Sequence, residues 1–508
     1  MISIPRPQFV ALVPGELTWH SPLKVRADEG LREVVEMFSE MVLSNIGWDL
    51  QWVDEGDDAD IDLSLDATRG PESFALRVAQ RAEVSVSDAA GAWYALQYLR
   101  NGCPPSTFRP HSSLAAWSVP CGNIVDSPRF AWRGVHLDVS RHFFSVSDVI
   151  RLMDLMSLHR LNHLHLHLND DQGWRVEVPS WPRLTDIGSR RRSSPVGHES
   201  EGRDDGVAHE GFYSLSDIAR LRVHAERRFI TLVPEIDLPG HAQAALAAYP
   251  QFSNVSEPLE VWTRWGISEN VLAASEEALE FAESVVCEVA DLFPGSPFHI
   301  GGDECPTTQW ETSEAAREEM KRRGMSDPRE LQGLFTERLA RALRERGHDV
   351  LAWDEVLDAT VPEGTTIVAW RDEEKGVEAA QRGYDVVMAP MQWVYFDWLN
   401  SASPEEPVAI APPPAVSSLR HVYDYSVVPE DMTEEMVGHV RGSQAQLWTE
   451  YIATRDHLDY MAFPRLCAFA EVVWGTAGSF EDFRRRLETH VERLHALGVS
   501  FRPLDQET

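Results

Sequence analysis

The chain has 508 residues, with 81 Asp or Glu against 46 Lys or Arg, a formal net charge of −35. Its 43% hydrophobic and 25% charged residues are the mix of a folded chain with a full core, which excludes a disordered, collagenous or disulfide-stapled protein. So much negative charge repels phosphate backbones and anionic membranes, so neither nucleic acid nor membrane is expected as a partner, while a neutral sugar remains compatible.

Met1 to His20 has no basic stretch followed by a continuous apolar run, and Pro5, Pro7 and Pro14 interrupt it. No later segment is apolar enough to cross a bilayer. The expected location is the cytoplasm, or outside the cell if a leader has been removed. The cysteines, Cys103, Cys121, Cys287, Cys305 and Cys467, are widely spaced, form no CxxC pair and require no disulfide framework.

Residues 1–127 read as a small α/β domain. Phe74–Val78 and Val84–Val86 are strand-like, Ala89–Leu99 is helical, and the acidic run Asp54–Asp62 reads as a solvated loop. A turn-rich joint from Asn123 to Arg129 opens the second domain, 128–508, where apolar strands alternate with helices. The strands are expected at Arg133–Val139, Asn162–Leu168, Phe229–Ile236, Pro297–Gly301, Asp349–Trp353, Thr366–Trp370, Asp385–Ala389 and Ser443–Trp448. Ser145 with Asp148 and Ser214 with Asp217 fit a helix-start capping box, and Ile218, Leu221 and Ala225 mark one apolar helix face. Eight such units point to a (β/α)8 TIM barrel, with a doubly wound sheet as the alternative. Three polar stretches, Asn169–Gly211, Pro239–Asn270 and Met391–Pro414, are expected to shape a pocket at the strands' C-terminal face.

Polar residues gather at those strand ends: Asp138 and Arg141, Asp170, Glu235 with Asp237 and His241, Asp303 with Glu304, Tyr395 with Asp397, and Glu450. Asp303-Glu304 follows Gly301-Gly302, and repulsion between adjacent carboxylates can hold one protonated, as a general acid needs. His163, His165 and His167 alternate with leucines on one strand face, a spacing that also suits a metal. The later strands offer Trp where further His ligands would be needed, so hydrogen-bonded core histidines are preferred and no metal or cofactor is expected. Trp353, Trp370, Trp393, Trp398 and Trp448 supply aromatic surface around the later strand ends, which with carboxylates suits a sugar ring.

Five segments carry a resemblance: Arg133–Phe143, His163–Trp174, Pro234–His241, His299–Glu304 and Leu447–Glu450. Together they make the chain, from about Asn123 to Trp474, similar to glycoside hydrolase family 20, the β-N-acetylhexosaminidases. The resemblance implies a (β/α)8 barrel behind a small α/β domain. It also implies an exo-acting, retaining hydrolase in which the substrate's acetamido oxygen attacks the anomeric carbon, a recognised exception to the two-carboxylate scheme. By motif, Glu304 would be the acid and then the base, Asp303 would orient the acetamido group, and Tyr395 would donate to its oxygen. Arg141, Glu450 and Asp397 would hold hydroxyls, Trp353, Trp370 and Trp448 would wall the pocket, and Asp170 with His241 would tune Glu304. Arg190–Arg192 would affect what binds beyond the first sugar. A carbohydrate-binding barrel without turnover and a metal-dependent barrel hydrolase are the competing readings, and GlcNAc versus GalNAc stays open.

Overall fold

The computed structural model describes residues 2–410 and 416–504; the last four positions of the third polar stretch, 411–414, lie outside them. Residues 9–126 form a seven-stranded sheet in the order β1-β7-β5-β6-β4-β2-β3. Its strands are β1 Phe9–Trp19, β2 Leu23–Ala27, β3 Leu50–Trp52, β4 Ile61–Leu65, β5 Phe74–Val78, β6 Ala82–Val86 and β7 Trp117–Asp126. Helices α1 (Arg32–Ile46) and α2 (Ala89–Arg100) contribute to a core with Trp19, Trp93 and Trp117. The acidic run is more than a solvated loop: Asp60 accepts from the Lys24 amide, and Asp62 in β4 pairs with Arg26 at 2.5 Å.

The second unit is a closed barrel of eight parallel strands, as the sequence pattern implies. In chain order they are Trp132–Asp138, His163–His167, Thr231–Glu235, Phe298–His299, Val350–Trp353, Thr365–Ala369, Val386–Met388 and Val440–Leu447. The eighth pairs with the first, Gln444 opposite Gly134, which closes the ring. Buried on both faces, these strands read as near-continuous apolar runs. The fourth is only two residues long in its ladder, because the chain turns at Gly301 and Gly302, both at positive φ.

Both serine capping boxes form. Ser145 caps α3 (Val146–Leu158) with Asp148, and Ser214 caps Leu215–Glu226 with Asp217, each satisfying amides the helix leaves unbonded. Ile218, Leu221 and Ala225 are buried as their spacing implies. The units are stitched together by side chains: Trp474 lies in the N-terminal core and donates its indole N–H to Asp126 at 2.8 Å, while Arg160 pairs with Asp126 and Arg133 with Glu72. The C-terminal helix Phe480–Ala496 packs behind the barrel with Phe483, Leu487 and Leu494 buried. All five cysteines are free.

Candidate active site

The first barrel strand ends at Asp138, which fixes the mouth of the barrel. One of its oxygens accepts from the amides of Ser140 and Arg141, at 2.7 and 3.1 Å, and the other accepts from Thr449, beyond the eighth strand. Arg141 is thereby held rigidly. Its guanidinium lies 2.8 Å from Asp170 and 3.8 Å from Glu450, donates to Gln172 at 3.0 Å, and sits 5.0 Å over Trp448.

Asp170, His241 and Glu304 form a line. His241 Nδ1 is 3.1 Å from Asp170 and its Nε2 is 3.7 Å from Glu304 and 4.0 Å from Asp303. Burial alone would depress His241, but Asp170 outweighs it and carries the imidazole well above its ordinary value. Burial likewise opposes ionisation of Asp170, yet Arg141 and His241 hold it well below the usual carboxylate range. This is an ion pair with one charged end facing Glu304. His241 and Glu304 both adopt left-handed backbone, at φ +46° and +45°, a costly conformation for residues with a Cβ and one that collects at functional sites.

Asp303 does not face Glu304 as its like-charged partner; it faces Asp237. An oxygen of each carboxyl lies within 4.8 Å of the other, and burial with their mutual repulsion favours a single proton held between them. Burial, then the charge of Asp237, raises Asp303 well above its ordinary range against the pull of His241. Burial raises Asp237 to about 7, with His241 opposing and Glu235 reinforcing. The adjacent glycines serve this contact. Gly302 N–H donates to Asp237 at 2.9 Å, and a Cβ on Gly301 would stand 1.9 Å from an Asp237 oxygen. So the repulsion inferred from the Asp303-Glu304 pair exists, but it acts between Asp303 and a residue 66 positions away in sequence.

Trp353, Tyr395 and Trp448 share one apolar cluster with Trp132, and Trp370, Met391 and Trp398 pack against it. Tyr395 stacks on Trp370 with centroids 6.1 Å apart. Trp353 has no exposed surface and donates its indole N–H to Glu235 at 2.7 Å, so it forms the floor beneath the other rings rather than an open wall. Trp393 lies elsewhere: it stacks on His421 at 4.2 Å and on Tyr425. Asp397 and Glu450 each keep a buried oxygen without a protein partner. Burial, then the charge of Glu450, raises Asp397 well above the carboxylate range. Two residues gain importance that the sequence motifs did not assign: Asp237, and Glu355, which accepts from the Trp370 indole N–H at 2.8 Å. Glu355 lies two positions past the fifth strand, and that placement is the signal that could have found it.

The strand-two histidines diverge. His163 stacks on Trp132 at 3.9 Å near the barrel's lower end. His165 and His167 meet Glu235 inside the barrel at 3.1 and 2.5 Å, and His167 also reaches Asp170 at 2.8 Å. Burial would lower His167, but Glu235 and Asp170 raise it to about 10; burial dominates at His165, which falls to about 4 despite Glu235. Among the described residues, five groups lie closely enough to ligate a cation: His136–His167–Glu235 and His165–Glu235–His299 inside the barrel, Asp170–Asp171–His241 and Asp237–His241–Asp303 at its mouth, and His159–Cys467–His490.

Arg190–Arg192 do not reach the acid. Arg191 is buried over Trp265 at 5.2 Å, while Arg190 and Arg192 pair with Glu210 and Glu260 at 3.0 and 3.2 Å. The cleft beside Glu304, about 380 Å³, is bordered instead by Ile267 and Glu269 from the second polar stretch, by Arg329 and Gln332, and by Asp358 after the fifth strand.

A closed (β/α)8 barrel whose carboxyl face holds adjacent acids over an aromatic pocket is the layout of a carbohydrate-active barrel. The profile described as "Glycosyl hydrolase family 20, catalytic domain" matches residues 130–477, and that of the family's domain 2 matches residues 2–127. The chain belongs to glycosyl hydrolase family 20. It is 37% identical over 442 residues to a β-hexosaminidase of Porphyromonas gingivalis, covering 86% of this chain and 55% of that protein. A β-hexosaminidase of Akkermansia muciniphila is 36% identical over 379 residues, 73% of this chain and 74% of the relative. The chain therefore spans about half the length of the first relative. A crystal structure of the Vibrio harveyi exo-β-N-acetylglucosaminidase with N-acetylglucosamine superposes with TM-score 0.85 at 30% identity, covering 98% of this chain and 78% of that one.

Proposed function

We propose that this chain is an exo-acting, retaining β-N-acetylhexosaminidase that removes terminal β-linked N-acetylglucosamine or N-acetylgalactosamine by substrate-assisted catalysis. The observation that carries the reading is the pair of acids with divergent surroundings: Asp303 buried against Asp237 at the pocket, Glu304 at the mouth of the adjoining cleft beside His241. Two carboxyls whose environments differ so sharply suit two roles.

Glu304, reachable from the cleft, protonates the glycosidic oxygen and later takes a proton from water. The cationic end of the Asp170–His241 pair faces it and stabilises the carboxylate left after proton donation. The acetamido oxygen attacks the anomeric carbon, an intramolecular step that needs the group held in place. Tyr395 donates to that oxygen, and Trp370 and Trp448 close the pocket around the acetyl methyl above the Trp353 floor. Asp303 accepts from the acetamido N–H and, with the shared proton passing wholly to Asp237, balances as a carboxylate the positive charge of the oxazolinium ion. Arg141, Asp397 and Glu450 meet the sugar hydroxyls, which satisfies the buried oxygens the two acids leave open.

The test is hydrolysis of aryl β-GlcNAc, aryl β-GalNAc and aryl β-glucoside by the purified chain. Cleavage of the first two with retention of configuration supports the reading. Binding of the sugars without turnover would favour a lectin-like barrel.

A further inference from the structure

The cleft beside Glu304 has no aromatic residue among its lining, unlike the pocket on the other side of the acids. Ile267, Pro306 and Ala359 supply its apolar part, Gln332 an amide and Cys305 a thiol. The rest is ionisable. Glu269 and Asp358 are exposed carboxylates, Glu304 is the proposed acid, Glu355 is raised well above its ordinary range by burial and then by the charge of Asp303, and Arg329 is the base in the lining. Arg329 is spent on Asp327, held at 3.0 and 2.5 Å by two nitrogens. Arg371 stands 3.5 Å from Asp358 but is shared with the buried Asp354, and Glu269 has no ionic partner among the described residues.

We infer that this cleft seats the leaving group and that its acidic wall selects leaving groups bearing a positive charge, such as a 2-amino-2-deoxy sugar, over anionic ones such as a uronic acid. The inference rests on the proposed function: an acid that protonates the glycosidic oxygen has the departing residue against it. Without a ring to stack on, the departing sugar is held by hydrogen bonds and charge, and its own charge then decides how well it is held. An ammonium about 4 Å from one exposed carboxylate gains about fivefold in affinity in water, and a carboxylate there loses as much. Salt weakens both effects.

The experiment compares kcat/KM at pH 6 for disaccharides with non-reducing β-GlcNAc linked to glucosamine, N-acetylglucosamine, glucuronic acid and the glucuronic acid methyl ester. It is run in low and high salt, with a neutral aryl β-GlcNAc alongside. The expected order is glucosamine, then the two neutral leaving groups, then glucuronate, with at least about tenfold between the extremes at low salt and convergence at high salt. In the double variant Glu269→Gln, Asp358→Asn the ratio of glucosamine to glucuronate should fall severalfold. A flat series, or a ratio unchanged in the double variant, overturns the inference while neutral aryl cleavage leaves the proposed function standing. Failure to cleave the aryl substrate would overturn both.

Discussion

Asp237 and Asp303 bring carboxyl oxygens within 4.8 Å of one another inside the barrel mouth, where Gly302 gives Asp237 a backbone hydrogen bond and, among the described residues, the basic side chain within salt-bridge distance is His241, 4.0 Å from Asp303. Burial and Asp237 raise Asp303 despite the charge of His241, so the contact holds a proton before substrate binds. A substrate whose acetamido nitrogen becomes cationic adds a second positive charge, so the acid changes state at the step that needs an anion.

Asp237→Asn removes the like charge and should let Asp303 ionise at lower pH. Because Asp303 acts as an anion, activity is lost as pH falls through its pKa; lowering that pKa moves the acid limb of the kcat profile downward. Profiles of both proteins on one aryl β-GlcNAc check this. An unmoved acid limb would mean that another group sets it.

Glu304→Gln should slow hydrolysis of chitobiose by about 10²–10⁴-fold, the usual worth of general-acid catalysis, and spare an activated aryl glycoside in part. The aryl leaving group needs little protonation. Equal losses on the two substrates would contradict the assignment of Glu304 as the acid.

Glu235 ties the barrel interior together through His165, His167 and Trp353. Glu235→Ala leaves the buried His167 imidazolium with Asp170 as its remaining counter-charge, strips His165 and the Trp353 indole of their carboxylate partner, and should cost about 3–5 kcal/mol, read as a lower denaturant midpoint. The pH dependence has a definite sign. His167 is raised from 6.5 to about 10, so its contribution is fully present below pH 6.5 and disappears as pH rises toward 10. Glu235 is held well below its ordinary range, so its share is present at neutral pH and is lost only in strong acid. Urea unfolding between pH 6 and 10 should show the alkaline decline in the parent protein and a smaller one in the variant, where Asp170 alone still raises His167.

The barrel was legible because eight apolar runs alternate with helical segments, and six of them end in polar residues that a strand's C-terminal face brings together. The line from Asp170 through His241 to Glu304 was legible from motif alone. The partner of Asp303 was not: a like-charge contact between Asp237 and Asp303 is made by the turn at Gly301 and Gly302, and nothing in local spacing records it. Trp393 and Trp398 both follow the seventh strand, five and ten residues past Met388, yet a four-residue helix, Met391–Val394, sends the nearer one toward His421 and lets the farther one approach the pocket. Arg190–Arg192 were expected to affect what binds beyond the first sugar, but Arg191 is buried and the other two pair with Glu210 and Glu260, and the cleft beside Glu304 is lined from the second polar stretch by Ile267 and Glu269.

The central claim is that the substrate's own acetamido oxygen is the nucleophile. Replacing the acetyl hydrogens by fluorine, one to three at a time, leaves the group nearly the same size and withdraws electron density from that oxygen. On aryl glycosides at one pH, kcat/KM should fall steeply with each fluorine, the plain glucoside should be almost inert, and Asp303→Asn should lose about 10²–10³-fold on the acetyl substrate because an amide cannot balance the developing cation. A flat fluorine series, with the glucoside cleaved as fast as the N-acetylglucosaminide, would contradict acetamido participation and make an enzyme carboxylate the nucleophile.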